Sequence, residues 1–594
     1  MPTNPNKLSR FWQELKRRRV IHVITVYATA AFVIIELVNN LAEPLNLPAS
    51  LPTIVIIILA IGFPLAIILS WLYDLTSEGV ERTKPLSEIQ EGEKPVVPNA
   101  WKIATYVSFV VIVGLVVFNI VTRGNIIKPG SIESLVVLPF HNYTGDDQLD
   151  YFVAGMHSSL IGDMGKVSGM RILSETTSNL YKNAEKSVPQ IASELGVDAV
   201  VEPTVTCFGD SICLQVKVFS AFPEEKLLWV TDYREDRRNI LNLYNRITKQ
   251  IAEELKVELT DKEETLLADA RTVNKDAYDN YLKGKFYSDR LGMEDLEKAL
   301  DYFNHAIEMD PGWAPPYAGV AAVYGGLMQM GFMPPGEAMI EINKNLDKAI
   351  ELDPDYPGSH YQKAVFGVWM EWDWEKGERE FLNALEINPN DVMSRIFYSH
   401  LLIILKRCDE AFFHSQMAVE LDPMNPFVLA LSAWVDLNRG EVQSALEKCA
   451  KALSIDPEHY FALSQFEYAS YKNGDYKNSI ETLLKIRSEP DKEARQAIND
   501  ALQDKGYTAA IETMLGHLEE YASKNYICYF EMADYYLRVD NKEMGIESFK
   551  KAFEMRDSNM PYITQPFWGF DKLQDDPRII SIVEKMNLPL AASN

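Results

Sequence analysis

The chain is 594 residues long, enough for several domains, and carries a formal net charge of −27. Residues 1–130 hold 12 Lys and Arg against 9 Asp and Glu, so they are +3 and the remainder is −30. Such an acidic remainder argues against nucleic-acid binding, because phosphate repels it, and five Cys in this length neither make a disulfide scaffold nor show metal-ligand spacing.

Three apolar runs come first, at 20–41, 53–73 and 103–121. Each has about the ~20 residues a helix needs to cross a bilayer, so the sequence predicts three transmembrane helices and a lipid bilayer as one partner. The basic run 16–19 also suits a signal peptide, but two further spans follow it. Lys7, Arg10 and 16–19 precede the first run, 43–52 has no Lys or Arg, and Arg82, Lys84, Lys94 and Lys102 precede the third. Positive charge stays inside. The expected order is a cytoplasmic N-terminus at 1–19, a transmembrane hairpin at 20–73, a cytoplasmic loop at 74–102 and a third span at 103–121, with everything later outside the cytoplasm. Glu36, inside the first run, reads as an interfacial or interhelical side chain. Phe11-Trp-Gln-Glu-Leu-Lys-Arg-Arg, Leu45-Asn-Leu-Pro48 and Gly62-Phe-Pro-Leu resemble a bacterial module placed ahead of soluble signalling domains. That resemblance implies the bacterial inner membrane, with the later domains periplasmic.

Residues 131–260 read as a small α/β domain. Short strands are expected at 134–139, 171–174 and 226–232, helices at 148–166, 187–195 and 238–255, and a hairpin from 198–207 and 212–221. Val136-Val-Leu-Pro-Phe-His-Asn142, Tyr151-Phe152, Gly155, Glu194-Leu-Gly-Val-Asp198 and Leu228-Trp-Val-Thr-Asp-Tyr233 resemble the TolB-like N-terminal domain, as in FlgO-type proteins. Ala154 and Pro203 depart from that pattern, and the resemblance implies no catalytic residue. His157 reads as a surface residue of the first helix. Cys207 and Cys213 flank the hairpin turn: a three-residue loop opposes them and permits a disulfide, a two-residue turn puts the sulfurs on opposite faces, and two separate thiols are the third reading.

A repeat follows over 270–560. Ala306-Ile-Glu-Met-Asp-Pro311 recurs with prolines at 354, 389, 423 and 457, spaced 43, 35, 34 and 34 residues. This phrase resembles the tetratricopeptide helix pair, so an α-solenoid is expected, with a loop inserted at 331–336. The resemblance implies a groove that binds a protein partner. Trp369, Trp372 and Trp374 are dense enough to offer an exposed anchor for that partner, although the helix core is the usual home of such rings. The tail 565–578 resembles the end of bacterial chains joining this α/β module to repeats, some with an adenylate-cyclase-type domain. Residues 561–594 read as a C-terminal cap.

The expected fold class is mainly α: three membrane helices, a TolB-like α/β domain and a tetratricopeptide solenoid. No phosphate loop, zinc motif or nucleophile elbow occurs, so no catalytic residue, cofactor or metal site is expected and the chain reads as a non-enzyme. The expected function is a membrane-anchored, extracytoplasmic scaffold or sensor that assembles an envelope or signalling complex. The alternative is a glycan or lipid fragment bound by the α/β domain, with the array mediating homo-oligomerisation.

Overall fold

The computed structural model describes residues 132–182, 184–221, 225–268, 270–487, 490–525, 527–565 and 569–589, the strand pair at 73–76 and 79–82, and helical positions at 23, 27, 30, 31, 34, 55, 59 and 62–64. The chain divides into two compact units, Met1–Ile126 and Ile127–Asn594.

In the first unit, β1 (Tyr73–Thr76) and β2 (Gly79–Arg82) pair antiparallel, with Tyr73 opposite Arg82. The Tyr27 hydroxyl donates to the Leu59 carbonyl at 2.8 Å, and its ring lies 5.6 Å from that of Phe63. The expected three transmembrane helices are corrected here. Among the described residues no helix is long and apolar enough to cross a membrane. Tyr73, which was to close the second span, opens a strand instead. Most of 20–41 and 53–73, all of 103–121 and Glu36 lie outside the described residues.

The second unit opens with a sheet. Strands β3 (Ser134–Val137), β4 (His141–Asn142), β5 (Arg171–Ile172), β6 (Ala199–Phe208), β7 (Ser211–Ser220) and β8 (Lys226–Asp236) run in the order β5-β3-β6-β7-β8. β3 is parallel to both neighbours, and β6, β7 and β8 form an antiparallel meander. β4 also pairs with β6, from His141 opposite Thr204, while β3 ends opposite Val201. Pro203 falls in the gap between them, where its missing N–H breaks no ladder.

One sheet face buries Leu135, Val137, Val201 and Val216 under α1 (Asp150–Met164) and α4 (Ile240–Glu254). The other buries Val136, Leu138 and Val200 against α3 (Val188–Leu195). A short helix α2 (Glu175–Asn179) lies between β5 and α3, and α5 (Asp261–Leu266) follows α4. His157 differs from expectation: it is 1% exposed, and its Nε2 bonds the Val137 carbonyl at 2.9 Å, so α1 packs it against β3.

Eight consecutive helix pairs follow among the described residues, from Lys275–Ser288 to Lys542–Glu554. Those used below are α6 (Lys275–Ser288), α7 (Met293–Met309), α8 (Ala314–Gln329), α9 (Pro335–Leu352), α10 (Pro357–Phe366), α11 (Trp374–Ile387), α12 (Val392–Ile404), α13 (Cys408–Leu421), α14 (Pro426–Asn438), α15 (Val442–Ile455) and α16 (Tyr460–Lys472). The recurring phrase works through the backbone. Asp310, Asp353, Asn388, Asp422 and Asp456 each cap a helix C-terminus, their N–H returning to the carbonyl of the Ala four residues earlier. The Pro that follows cannot continue the helix. All five alanines are fully buried, which lets neighbouring helices approach closely. The second pair is long because its helices are long, 16 and 18 residues against 13 and 14 in α14 and α15. The loop expected at 331–336 shrinks accordingly: Pro335 and Gly336 form the first turn of α9, where proline is tolerated.

The array and the sheet module pack as one body. Asn390, in the turn before α12, points its Nδ2 at the carbonyls of Gly165, Val167 and Met170, each at 3.1 Å, and its Oδ1 accepts from Ile172 N at 3.2 Å. The next turn repeats the device: Thr177 Oγ1 donates to Asp422 Oδ1 at 2.6 Å, and Ser174 N to the Leu421 carbonyl at 2.9 Å. The Asp-Pro and Asn-Pro turns therefore both end helices and hold the α/β module.

Candidate functional site

Aromatic rings from the first helices of four successive repeats touch in a row. Phe397 on α12 lies 6.0 Å from Tyr361 on α10 and 6.0 Å from Phe427 on α14, and Phe427 lies 5.1 Å from Phe461 on α16. Tyr460 extends the row 5.5 Å beyond Phe461. Phe397 and Phe427 are half-buried, whereas Phe461 is 37% and Tyr460 50% exposed. The ladder thus opens toward α16. Half-exposed rings on rigid helices offer flat apolar contact at low entropic cost, as protein-binding surfaces do.

Trp369 closes the other end, its ring 5.4 Å from Phe397 at 80°. There the chain's own C-terminal segment enters. Trp369 Nε1 donates to the Tyr562 hydroxyl at 3.2 Å, and that hydroxyl donates to His400 Nδ1 at 2.9 Å. His400 Nε2 in turn donates to the Leu431 carbonyl at 3.1 Å. Every polar atom of this chain has a partner only with a neutral imidazole, and burial pushes the His400 pKa down to about 4. The Trp434 ring packs 4.5 Å from Tyr562 and 5.3 Å from His400. Gln565 Nε2 donates to the Ile403 carbonyl at 2.7 Å.

The three tryptophans singled out from the sequence therefore do different things. Trp369 is half-buried and joins the ladder to Tyr562. Trp372, at φ 61°, stacks 5.7 Å from Phe553 beneath the Arg556 guanidinium. Trp374 is 8% exposed, and its Nε1 donates to the Met586 carbonyl at 2.9 Å. Each of the three meets the segment after α16. That segment also covers the last repeat: Lys572 Nζ donates to the Leu537 carbonyl at 2.7 Å, and helix Pro577–Lys585 packs on Lys542–Glu554. The tail reaches from the last repeat back to α10–α12, a closure that repeat spacing cannot announce.

Cys207 and Cys213 are directly opposed across β6 and β7, with Phe208 opposite Ile212, and their sulfurs are bonded at a Cα separation of 4.8 Å. Cys408, Cys449 and Cys528 are free. Among the described residues no group of three or more His, Cys, Asp or Glu could hold a metal ion.

The tetratricopeptide-repeat family profile matches residues 280–312. The chain carries tetratricopeptide repeats. Over 239 residues it is 26% identical to a protein of Rhizobium meliloti (strain 1021) named adenylate cyclase 3, covering 40% of this chain and 40% of that one. Over 166 residues it is 23% identical to the transcriptional regulator HilA of Salmonella typhimurium, covering 28% of this chain and 30% of HilA. The chain thus spans less than half the length of these curated relatives. Among solved structures, YrrB, a tetratricopeptide-repeat protein with an unusual peptide-binding site, is similar at 23% identity and a TM-score of 0.23, over 31% of this chain and 89% of YrrB.

Proposed function

We propose that this protein is an interaction scaffold that binds a basic, aromatic or aliphatic peptide segment of a partner along the ladder from Phe397 to Tyr460. The observation that carries the reading is the ladder itself: rings from consecutive repeats in contact and progressively exposed. The −30 charge of residues 131–594 favours a basic partner and speeds encounter with it. Recognition along successive first helices makes affinity a sum over repeats. A photo-crosslinking amino acid at position 461 should give a discrete adduct in cells, and Phe427→Ala should weaken it several-fold. Labelling at 461 no stronger than at exposed Glu512 would sink the reading.

We place this work in an oxidising compartment outside the cytoplasm, on the strength of the Cys207–Cys213 bond, since cytosolic thiols stay reduced. Protein recovered from its own cells with immediate alkylation should then carry label at Cys408 but none at Cys207 or Cys213. Label at both hairpin cysteines would overturn the placement.

A further inference from the structure

Where the α/β module meets the array, an open cavity of about 550 Å³ is lined by residues of α1, α4 and α6 and of the turns before α8, α10 and α12. Its aromatic wall is Trp313, Tyr281 and Tyr356, with the Trp313 and Tyr281 rings 4.9 Å apart. The lining also holds two small hydroxyls: Ser158 accepts from Lys285 Nζ at 3.0 Å, and Ser159 donates to the Gly155 carbonyl at 2.8 Å. The turns contribute the carboxylates Asp353, Asp355 and Asp391. Asp353 accepts from the Asp355 backbone N–H at 3.1 Å, and burial raises its pKa.

The charges present select the ligand. The lining holds four carboxylates, Asp163, Asp353, Asp355 and Asp391, against three cations: Lys166, paired with Asp163 at 2.6 Å, Arg271, paired with Asp310 at 2.6 Å, and Lys285, which bonds the neutral Ser158 hydroxyl. An anion such as phosphate is disfavoured in that field. A lipid tail would meet carboxylates and hydroxyls it cannot satisfy. Aromatic rings sharing one lining with carboxyl and hydroxyl oxygens suit a ring with apolar faces and an equatorial belt of hydroxyls: the apolar faces meet aromatic rings, and the hydroxyls donate to carboxylates in charge-assisted bonds. The volume lies within the range of small-molecule sites.

We propose that this cavity binds a neutral sugar of one or two rings, gripped by the α/β module and the repeat array together. Because both modules contribute walls, the bound sugar ties them together, and it stabilises the folded chain by mass action. This site is separate from the aromatic ladder and does not depend on it.

Gly162 on α1 supplies the test. It lines the cavity, and no atom lies within 4 Å of the position a Cβ would take. Gly162→Leu therefore sets its Cβ in open cavity space and intrudes on the cavity from α1, and leucine suits a helix better than glycine. The full chain is titrated calorimetrically with glucose, N-acetylglucosamine and N,N′-diacetylchitobiose, with inorganic phosphate and glycylglycine as comparators. At least one sugar should bind saturably and raise the melting temperature. Gly162→Leu should melt no lower than the parent yet bind that sugar at least ~10-fold more weakly. Asp353→Asn should weaken it through the hydroxyl contacts alone. The proposal is overturned by no sugar binding at about 10 mM, by unchanged binding in both variants, or by phosphate or glycylglycine binding more tightly than every sugar.

Discussion

Arg538→Met is expected to destabilise the array by about 3–5 kcal/mol near neutral pH, because it leaves two carboxylates buried without their cation. The Arg538 guanidinium sits inside the C-terminal repeats, its side chain 3% exposed beside Glu467 at 5% and Asp534 at 4%. It donates to Glu467 Oε1 at 2.7 Å, to Glu467 Oε2 at 3.1 Å, to Asp534 Oδ2 at 2.7 Å and to the Tyr507 hydroxyl at 2.9 Å. The Tyr471 ring lies 4.4 Å from it. Burial already pushes the Asp534 pKa up to about 6 with arginine in place. Without the arginine cation beside it the Asp534 carboxyl stays above its unfolded value, so the folded state prefers it protonated. The variant's deficit is therefore smallest below the unfolded carboxylate range near ~4 and grows as pH rises through the folded value. Urea unfolding of Arg538→Met and the parent at pH 5 and pH 8 checks this. A deficit under ~1 kcal/mol at pH 8, or one that grows on acidification, would show that the network is not what holds these helices.

The repeats were readable because their signal is local. An Ala buried against the next helix, followed four residues later by a capping Asp or Asn and then by Pro, specifies a helix end whatever else the chain does. The hairpin was readable for the same reason: Ile212, Leu214, Val216 and Val218 alternate inward along β7. What escaped were contacts between distant segments. Asn390 reaches Met170 across 220 residues and Thr177 reaches Asp422 across 245. In the sequence these look like ordinary turn residues, because capping and docking use the same side chains. The aromatic ladder was hidden differently, since Phe397 lies 8 residues after its proline but Phe427 and Phe461 lie 4 after theirs. Their alignment depends on how the helices stack, which no fixed repeat position encodes. The cavity beside Gly162 likewise exists only once both modules have packed. For the apolar runs near the N-terminus, among the described residues no helix is long and apolar enough to cross a membrane, and most of those runs lie outside the described residues.

Acid should loosen the C-terminal closure, and Tyr562 and His400 should account for it. Tyr562→Ala removes a buried aromatic and is expected to cost about 3–5 kcal/mol. Tyr562→Phe keeps the ring but strips a donor from His400 Nδ1 and an acceptor from Trp369 Nε1, for about 1–3 kcal/mol. The pH dependence follows from the neutral imidazole that the chain of bonds requires. Its folded pKa of about 4 lies below the unfolded value of ~6.5, so above the latter both states are neutral and nothing is lost. As pH falls, the unfolded chain takes up the proton first. Stability therefore drains away between about 6.5 and 4, by up to roughly 3 kcal/mol for this group. His414, also pushed down to about 4 by burial and the neighbouring Arg395, titrates in the same direction, so the His400 share is read as a difference between variants. His400→Gln should be less stable than the parent at pH 7.5, and the gap should narrow toward pH 4.5 because glutamine has no proton to gain. Chymotryptic cleavage within 566–594, followed across the same pH range, reports release of the tail directly. Equal acid sensitivity in the parent and in His400→Gln would rule out His400 as the titrating group.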